Sequence, residues 1–226
     1  MATLSLSIPT KGLTSPTNWN TREKVVEIMA NIEAKYGKYF KFASETSRIP
    51  KIILMSFCAV ESGGKPSAGS DIYKTQGLMQ WNRKHAGQQL EEELAQGRMS
   101  AAEKSKLAEY GIKFDAKGKT REITNADQLK PELNILIGSI VMGQLIDKKW
   151  GNTGGNMHLD RVIVCYNSGE YTTSGKMARS GDYKTPQSLS NALAPINETS
   201  SDYIKKIMGK NGALDVAMTE LKGKIA

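Results

Sequence analysis

Apolar residues recur with helical spacing in three segments of the chain. Residues 21–40 carry them at positions 25, 26, 29, 32 and 36, and residues 131–151 at positions 133, 136, 137, 140, 141, 145 and 146. Residues 159–169 show the same period and end at Gly169. Because apolar positions three and four residues apart share one helix face, each segment predicts a helix that packs on a core.

A fourth segment, residues 51–61, is apolar on almost every side. Pro50 stands at its start, where proline is favoured, and Gly63 and Gly64 follow its end. A helix that is apolar all round is buried on most sides. The pattern therefore predicts a central buried helix whose last turn delivers one acidic residue, Glu61, to a loop.

The remaining segments predict smaller elements. Residues 83–110 are charged and helix-prone, and residues 112–124 place turn residues between β-formers, which is typical of a hairpin. Residues 170–197 are rich in Gly, Ser, Thr and Pro and predict a long surface loop. Helices are expected again over 201–208 and 213–225. Together the patterns predict a mainly α fold with one or two short β-hairpins.

The length of 226 residues suits one domain with a small extension. Residues 1–20, rich in Ser, Thr and Pro, predict an N-terminal arm. Residues 21–226 then form a single domain, in which the charged stretch 85–130 is an elaboration.

Net charge narrows the choice of partner only slightly. The chain carries 31 Lys and Arg against 23 Asp and Glu, a formal charge of +8. This balance favours a polyanionic partner such as an anionic cell wall, and it equally suits a solvated lysine-rich surface. Because the chain lacks the interleaved basic and aromatic residues of nucleic-acid-binding motifs, nucleic acid is not predicted as a partner.

Targeting signals and cysteines exclude further classes. No apolar run reaches membrane-spanning length, and the N-terminus lacks the basic start and apolar stretch of a secretory signal. We therefore expect a protein made in a cytoplasm, without membrane insertion. Cys58 and Cys165 lie in apolar segments without metal-ligand spacing, so both are expected to be buried core residues and no metal is predicted.

The position of Glu61 is typical of a proton donor. It follows Phe57 and Cys58 by one helical turn, on an apolar face, where loss of water raises the pKa of a carboxyl. A helix C-terminus also disfavours negative charge. A carboxyl that keeps its proton near neutral pH can act as general acid in glycoside cleavage. The competing interpretation is a glutamate at the point where the helix returns to water.

Five motifs in one order favour the first interpretation. They are Glu61-Ser62 with Ser70, Gly77-Leu78-Met79-Gln80, Asn134-Ile135 with Gly138, Cys165-Tyr166-Asn167-Ser168-Gly169, and Glu198-Thr199 with Tyr203-Ile204. Over residues 40–210 the chain resembles the soluble lytic transglycosylases, relatives of the goose-type lysozymes. The resemblance implies a lysozyme-like α+β fold, a helical bundle around a buried helix that ends at the catalytic glutamate.

The resemblance also implies a reaction. Glu61 would protonate the oxygen between N-acetylmuramic acid and N-acetylglucosamine in peptidoglycan, then act as base while the muramoyl C6 hydroxyl attacks the anomeric carbon. The product is a 1,6-anhydro sugar, and neither a cofactor nor a second enzymic carboxylate is needed. The substrate acetamide can stabilise the transition state, as in substrate-assisted glycosidases.

Six further residues gain roles from the resemblance. Ser70 and Gln80 would bind sugar substituents or orient Glu61, and Tyr166 would place its hydroxyl near the acid or the acetamide. Asn167 would tie its helix end to the loop. The remaining two would line the far wall of a groove: Glu198 and Tyr203.

Departures from the family pattern leave alternatives open. The spacing from Glu61 to Gly77 is one residue longer than usual, as is that from Glu198 to Tyr203. Goose-type lysozymes carry a water-binding aspartate where this chain has Asn82, which favours the intramolecular route. Asp71 could still serve, so a hydrolytic lysozyme or endolysin is the first alternative. A catalytically silent wall-binding protein is the second.

The biological setting follows from the expected activity and the absent signal. We expect a bacteriophage muralytic enzyme, acting on the cell wall either in lysis with a holin or as part of the particle. A bacterial enzyme exported by a specialised apparatus is the alternative. A monomer bound to peptidoglycan glycan strands is the expected functional form.

Overall fold

Helices dominate the structure, a computed structural model that describes residues 10–153 and 156–221. The helices are α1 (Arg22–Ser47), α2 (Lys51–Ser62), α3 (Arg83–Ala95), α4 (Ala101–Glu109), α5 (Asn125–Gln128), α6 (Pro131–Asp147), α7 (Leu159–Ser168), α8 (Thr173–Ser180), α9 (Pro186–Leu193), α10 (Glu198–Met208) and α11 (Ala213–Glu220). Two short antiparallel hairpins accompany them, β1 (Gly69–Ser70) with β2 (Thr75–Gln76), and β3 (Asn152–Thr153) with β4 (Asn156–Met157). The predicted mainly α, lysozyme-like fold class is confirmed.

The described residues fall into two compact units. One unit is Asn31–Gln144, and the other combines the described parts of Met1–Ala30 and Leu145–Ala226. Within the first, α2 is buried along most of its length, and Ile53 through Ala59 are all shielded from solvent. Within the second, α10 packs against α7, α9 and α11. The predicted single domain over 21–226 stays a prediction.

The strongest hydrophobic patterns form the helices predicted from them. The predicted helix 21–40 continues without a break to Ser47, because Phe40 and Ala43 extend the buried stripe that begins at Val25. Segments 51–61, 131–151 and 159–169 become α2, α6 and α7. Among the described residues, no helix combines the length and the apolar character needed to cross a membrane.

The predicted loop over 170–197 is wrong, because it contains α8 and α9. The Thr172 hydroxyl accepts a hydrogen bond from the Gly175 amide and caps α8. Thr185 forms a reciprocal cap with Ser188, and Pro186 occupies the first turn of α9. Thr, Ser and Pro at these positions start helices, so a composition typical of loops here marks two helix N-termini.

The predicted hairpin over 112–124 is also wrong, since this segment contains no strand. Asp115 Oδ1 accepts hydrogen bonds from the amides of Lys117 and Lys119, which closes a tight local turn. Beyond the turn, the Thr120 amide donates to the Glu91 carboxylate. The backbone therefore bonds to side chains and, through the Asp115 amide and the Lys119 carbonyl at 2.9 Å, within the turn, but it pairs with no strand. The two hairpins lie elsewhere, at residues 69–76 and 152–157.

The predicted N-terminal arm is described from residue 10 onwards, and residues 1–9 lie outside the described part. Thr10 and Ser15 donate their amides to the carbonyls of Met208 and Lys210, at 3.1 and 3.0 Å. Leu13 accepts from the Lys210 amide, and its side chain is buried. Residues 10–15 are thus joined to the end of α10.

Candidate active site

The end of α2 sets the position of Glu61. Gly63 closes the helix in a left-handed conformation, and its amide donates to the Ala59 carbonyl at 3.1 Å. The Ser62 hydroxyl donates to the Cys58 carbonyl at 3.0 Å and accepts from the Gly64 amide at 3.1 Å. The helix therefore stops one residue after Glu61, which lies half-buried in the last turn.

Gln80 is bound directly to the same helix end. Its side-chain amide, Nε2, donates a hydrogen bond to the Glu61 backbone carbonyl. This carbonyl is one of the last four of the helix, which have no partner within it. Gln80 itself has a φ of +45°, a conformation that few non-glycine residues adopt. The contact joins the Gly77–Gln80 loop to the residue predicted as the acid.

The side chain of Asn134 binds the backbone of this loop. Its Oδ1 accepts from the Met79 amide at 2.7 Å, and its Nδ2 donates to the carbonyls of Gln76 and Gln128, at 3.1 and 2.9 Å. Gly77 has a φ of +88°, and a Cβ there would lie 2.3 Å from Asn134 Nδ2. A glycine is therefore required at the point where the loop meets the amide.

Gln128 provides a second buried amide under the same loop. Its Nε2 donates to the carbonyls of Lys74 and Trp81, at 3.0 and 2.8 Å. Sequence reasoning missed Gln128 and assigned Asn134 only to a motif. Asn134 lies in an apolar segment, where a buried amide must find partners, whereas Gln128 lies in the polar segment 124–130 and carries no such signal.

The two residues that follow the loop, Trp81 and Asn82, make structural contacts. Trp81 is buried and donates its indole Nε1–H to the Asn134 carbonyl at 2.9 Å, so it belongs to the core. Asn82 caps α3, accepting a hydrogen bond from the Lys84 amide at 2.9 Å. The position that is an aspartate in goose-type lysozymes is therefore occupied here by a helix cap.

Ser70 lies in β1, on the hairpin between α2 and the Gly77–Gln80 loop. Its Oγ accepts from the Ile72 amide at 3.2 Å. Asp71 follows, and its carboxylate pairs with Arg83 at 2.7 Å and with Lys74 at 3.6 Å. The carboxylate that would serve a hydrolytic mechanism is thus in contact with two cations.

The other four predicted residues lie in the second unit, on α7 and α10. Tyr166 and Asn167 are half-buried in the last turns of α7, and Asn167 Oδ1 accepts from the Ser200 hydroxyl at 3.4 Å. Glu198 is exposed at the first position of α10. Tyr203 is 5% exposed, which is typical of a packed anchor. Their predicted contacts with substrate stay predictions.

Both cysteines are buried. Burial raises the pKa of Cys58 to about 12, although a hydrogen bond with the Ser62 hydroxyl acts in the opposite direction. Burial likewise raises the pKa of Cys165 to about 12. Both thiols are free and buried, as predicted from the sequence, and they stay protonated at neutral pH. The described part of the chain contains no group of three or more His, Cys, Asp or Glu that could bind a metal.

A cavity of about 440 Å³ opens at the other end of α7 from Tyr166. His158 and Asp160 lie in its wall, where burial lowers the pKa of His158 and raises that of Asp160. None of the seven predicted site residues lines this cavity. It is a feature of the second unit alone.

The fold and the arrangement around Glu61 fit the class of protein that the motifs predict. A mainly α, lysozyme-like fold presents one carboxyl at the end of a buried helix, beside a hairpin and a loop bound to that helix end. Glu61 lies where the resemblance predicts the acid, and its catalytic role stays a prediction.

Comparison with known families agrees with this class. Residues 38–114 match the family model described as the transglycosylase SLT domain. This match confirms, over residues 38–114, the resemblance to the soluble lytic transglycosylases stated from the motifs. The matched residues include Glu61, Ser70 and Gln80, whereas the residues of α7 and α10 lie outside them. No curated protein matches the chain. The family indicates an enzyme that cleaves glycosidic bonds of peptidoglycan.

Proposed function

We propose that the protein is a peptidoglycan lytic transglycosylase that uses Glu61 as its general acid and base. The observation that carries the proposal is the placement of Glu61 in the last turn of buried α2, with its carbonyl bound by Gln80. A carboxyl fixed in position relative to its loop can approach one bridging oxygen in a bound glycan, and orientation of this kind lowers the barrier.

The proposed reaction has two proton transfers. Glu61 gives its proton to the oxygen that leaves the anomeric carbon of N-acetylmuramic acid. The carboxylate then takes the proton of the C6 hydroxyl, whose oxygen forms the new bond to the same carbon. Atoms balance without water, so each product pair has the mass of the glycan cleaved. Removal of such an acid typically slows a reaction by about 10²–10⁴-fold.

Two contacts favour this intramolecular route over hydrolysis. Hydrolysis needs a base that holds the attacking water. Asn82 cannot serve as a base and caps α3, and Asp71 is paired with Arg83 and Lys74. A hydrolytic lysozyme is therefore the second candidate. Its only support is that the Asp71 side chain is half exposed and can contact water.

The test is cleavage of purified peptidoglycan by Glu61→Gln, followed by mass spectrometry of the products. The amide keeps the size of the side chain and removes the proton donor. We expect at least about 10²-fold less product, and wild-type products of the 1,6-anhydro mass. Glu27→Gln, the same chemical change on an exposed face of α1, is the matched control and should retain full activity.

Each alternative gives a different result in this assay. Wild-type products heavier by one water would identify a lysozyme. Binding of the wild-type protein to peptidoglycan without any product would identify a wall-binding protein. Undiminished cleavage by Glu61→Gln would refute the assignment of the acid. The bacteriophage setting and the dependence on a holin stay predictions.

A further inference from the structure

Two large apolar side chains stand exposed at the tip of the β1–β2 hairpin. Ile72 is 84% exposed and Tyr73 is 72% exposed. They are adjacent in sequence, in the turn that joins Ser70 to Thr75. Exposed apolar pairs that face water cost free energy, and a cluster of them often marks a contact with a ligand or a partner.

The turn that carries them is held by several hydrogen bonds. The Lys74 amide donates to the Asp71 carbonyl at 3.0 Å. The Lys74 carbonyl in turn accepts from the Arg83 amide at 2.8 Å and from Gln128 Nε2 at 3.0 Å. Asp71 also pairs with the Arg83 side chain. Because the backbone is fixed, a ligand that contacts the tip does not have to order it, and little binding energy is lost.

The base of the hairpin is continuous with the candidate active site. The Gly77 amide donates to the Ala68 carbonyl at 2.9 Å, closing the hairpin. The second strand leads directly into the loop whose Gln80 is bound to the Glu61 carbonyl. A Cβ at Gly69 would lie 2.2 Å from the Thr75 carbonyl oxygen, so the two strands are in close contact at this end. The tip, the loop and the end of α2 form one connected structure.

We propose that Ile72 and Tyr73 form a platform on which a sugar ring of the glycan strand stacks, outside the bond that is cleaved. The inference rests on the proposed function. A pyranose presents a face of C–H groups that an aromatic ring can cover, while its hydroxyls reach polar neighbours at the edge. The tip offers both, because Asp71 and Lys74 flank the apolar pair.

The size of the tip favours a sugar over a protein partner. A standard protein interface buries roughly 800 Å² on each side, far more than two side chains supply. One sugar ring is of the same size as one tyrosine ring. The platform therefore binds a single residue of the glycan and makes the enzyme prefer long strands over short ones.

The experiment measures binding of N-acetylglucosamine hexamer and trimer by calorimetry, in full-length protein that carries Glu61→Gln to prevent cleavage. We expect Tyr73→Ala to weaken binding of the hexamer about 3–10-fold, as loss of one aromatic contact typically does. The trimer should bind unchanged. Tyr73→Phe keeps the ring and should retain hexamer binding.

Tyr171→Ala is the matched control, because Tyr171 is 73% exposed and lies in the other unit. It should bind both oligomers like the parent. Equal hexamer binding by Tyr73→Ala and the parent, or equal losses in Tyr73→Ala and Tyr171→Ala, would overturn the platform. A change of oligomeric state in Tyr73→Ala, measured by sedimentation, would assign the tip to contacts between copies and overturn it as well.

Failure of the platform and failure of the proposed function are distinguishable. The platform fails on hexamer binding alone, even if Glu61→Gln abolishes cleavage. The proposed function fails on cleavage by Glu61→Gln, whatever the hexamer binding shows. The two readouts use different substrates, and the binding readout compares proteins that all carry Glu61→Gln and differ only at Tyr73 or Tyr171.

Discussion

The Gly77–Gln80 loop and the N-terminus of α10 both carry motif residues, yet different forces hold them. The loop depends on two buried side-chain amides from distant points of the chain: Asn134 accepts from the Met79 amide, and Gln128 donates to the Trp81 carbonyl next to the loop. The start of α10 depends on a local cap, in which Asn197 Oδ1 accepts from the Ser200 amide at 3.1 Å. Behind that cap, the buried face of α10 supplies the remaining stability.

The difference decides how each region responds to change. The backbone groups of the loop are not paired with one another as they are in a helix. When a buried side chain that binds them is lost, they therefore remain without a hydrogen-bond partner. A capped amphipathic helix loses one turn of order and keeps its apolar contacts. The loop bound to Glu61 is therefore the more easily disrupted of the two motif regions.

The largest expected effect separates two asparagines. Asn134→Ala leaves the Met79 amide and two carbonyls without their partner. Each unpaired buried group costs about 1–3 kcal/mol, so we expect the free energy of unfolding to fall by at least about 3 kcal/mol. Asn197→Ala removes a helix cap and a hydrogen bond to the Ser174 hydroxyl, and should cost about 1–2 kcal/mol. Urea denaturation followed by circular dichroism measures both.

Activity adds a second readout to this pair. Asn134→Ala should lower peptidoglycan cleavage at a temperature where the variant remains folded, because Met79 and Gln80 lose their support. Equal stability losses in the two variants would contradict the comparison. A folded Asn134→Ala protein with full activity would show that the loop does not depend on the amide.

Sequence patterns predict the regular parts of this molecule well, for a physical reason. Helices α1, α6 and α7 are predicted because burial of an apolar face imposes a period on the residues that form it. Helices α8 and α9 were missed because their Thr, Ser and Pro residues, which cap helices, have the composition of a loop. Composition alone does not distinguish a cap from a turn.

The hydrogen bonds that hold the Gly77–Gln80 loop could not be predicted from the sequence, for a different reason. Asn134 binds the Met79 amide across 55 residues, and Gln128 binds Trp81 across 47. A sequence shows that a buried amide needs a partner and does not show which one it finds. The position of Glu61 could be predicted locally, from an apolar helix followed by two glycines, whereas its interpretation as the acid needed the motifs farther along the chain.

The second prediction compares two glycines of α6. A Cβ at Gly138 would lie 2.7 Å from Met79 Cβ, whereas a Cβ at Gly143 would meet nothing within 4 Å among the described residues. Of these two glycines, Gly138 is therefore the one that makes a close contact. We expect Gly138→Ala to lower the free energy of unfolding by about 2 kcal/mol, because the added methyl group forces the Met79 side chain to move.

Gly143→Ala is the control for that change. It should stabilise by about 0.5–1 kcal/mol, because alanine loses less backbone freedom than glycine in a helix. Both variants are measured in one set of urea titrations. Changes of opposite sign in their free energies of unfolding would show that the contact with the loop at Gly138 has no counterpart at Gly143. Destabilisation by both variants would mean that helix geometry, and not the contact with Met79, sets the effect.

The smallest expected effect is that of Asp127, which precedes Gln128 in α5, and this effect depends on pH. Asp127 is buried, which acts to raise the pKa of its carboxyl, but hydrogen bonds from Arg121 and Thr124 outweigh burial and hold that pKa well below its usual range. A carboxyl whose pKa is lower in the folded state stabilises the fold above the unfolded pKa near 4. That contribution is lost as the pH falls through the folded value.

Asp127→Asn removes this contribution at every pH while it keeps the shape of the cap. We expect it to cost about 1 kcal/mol at pH 7, where the wild-type carboxylate is charged. The difference from wild type should shrink as the pH falls below about 4, because the wild-type protein then approaches the pH at which its own carboxyl takes up a proton. Asp115→Asn, on an exposed turn of the same unit, is the control. A constant difference between Asp127→Asn and wild type from pH 7 to pH 2 would show that the cap, and not the charge, supports the helix that carries Gln128.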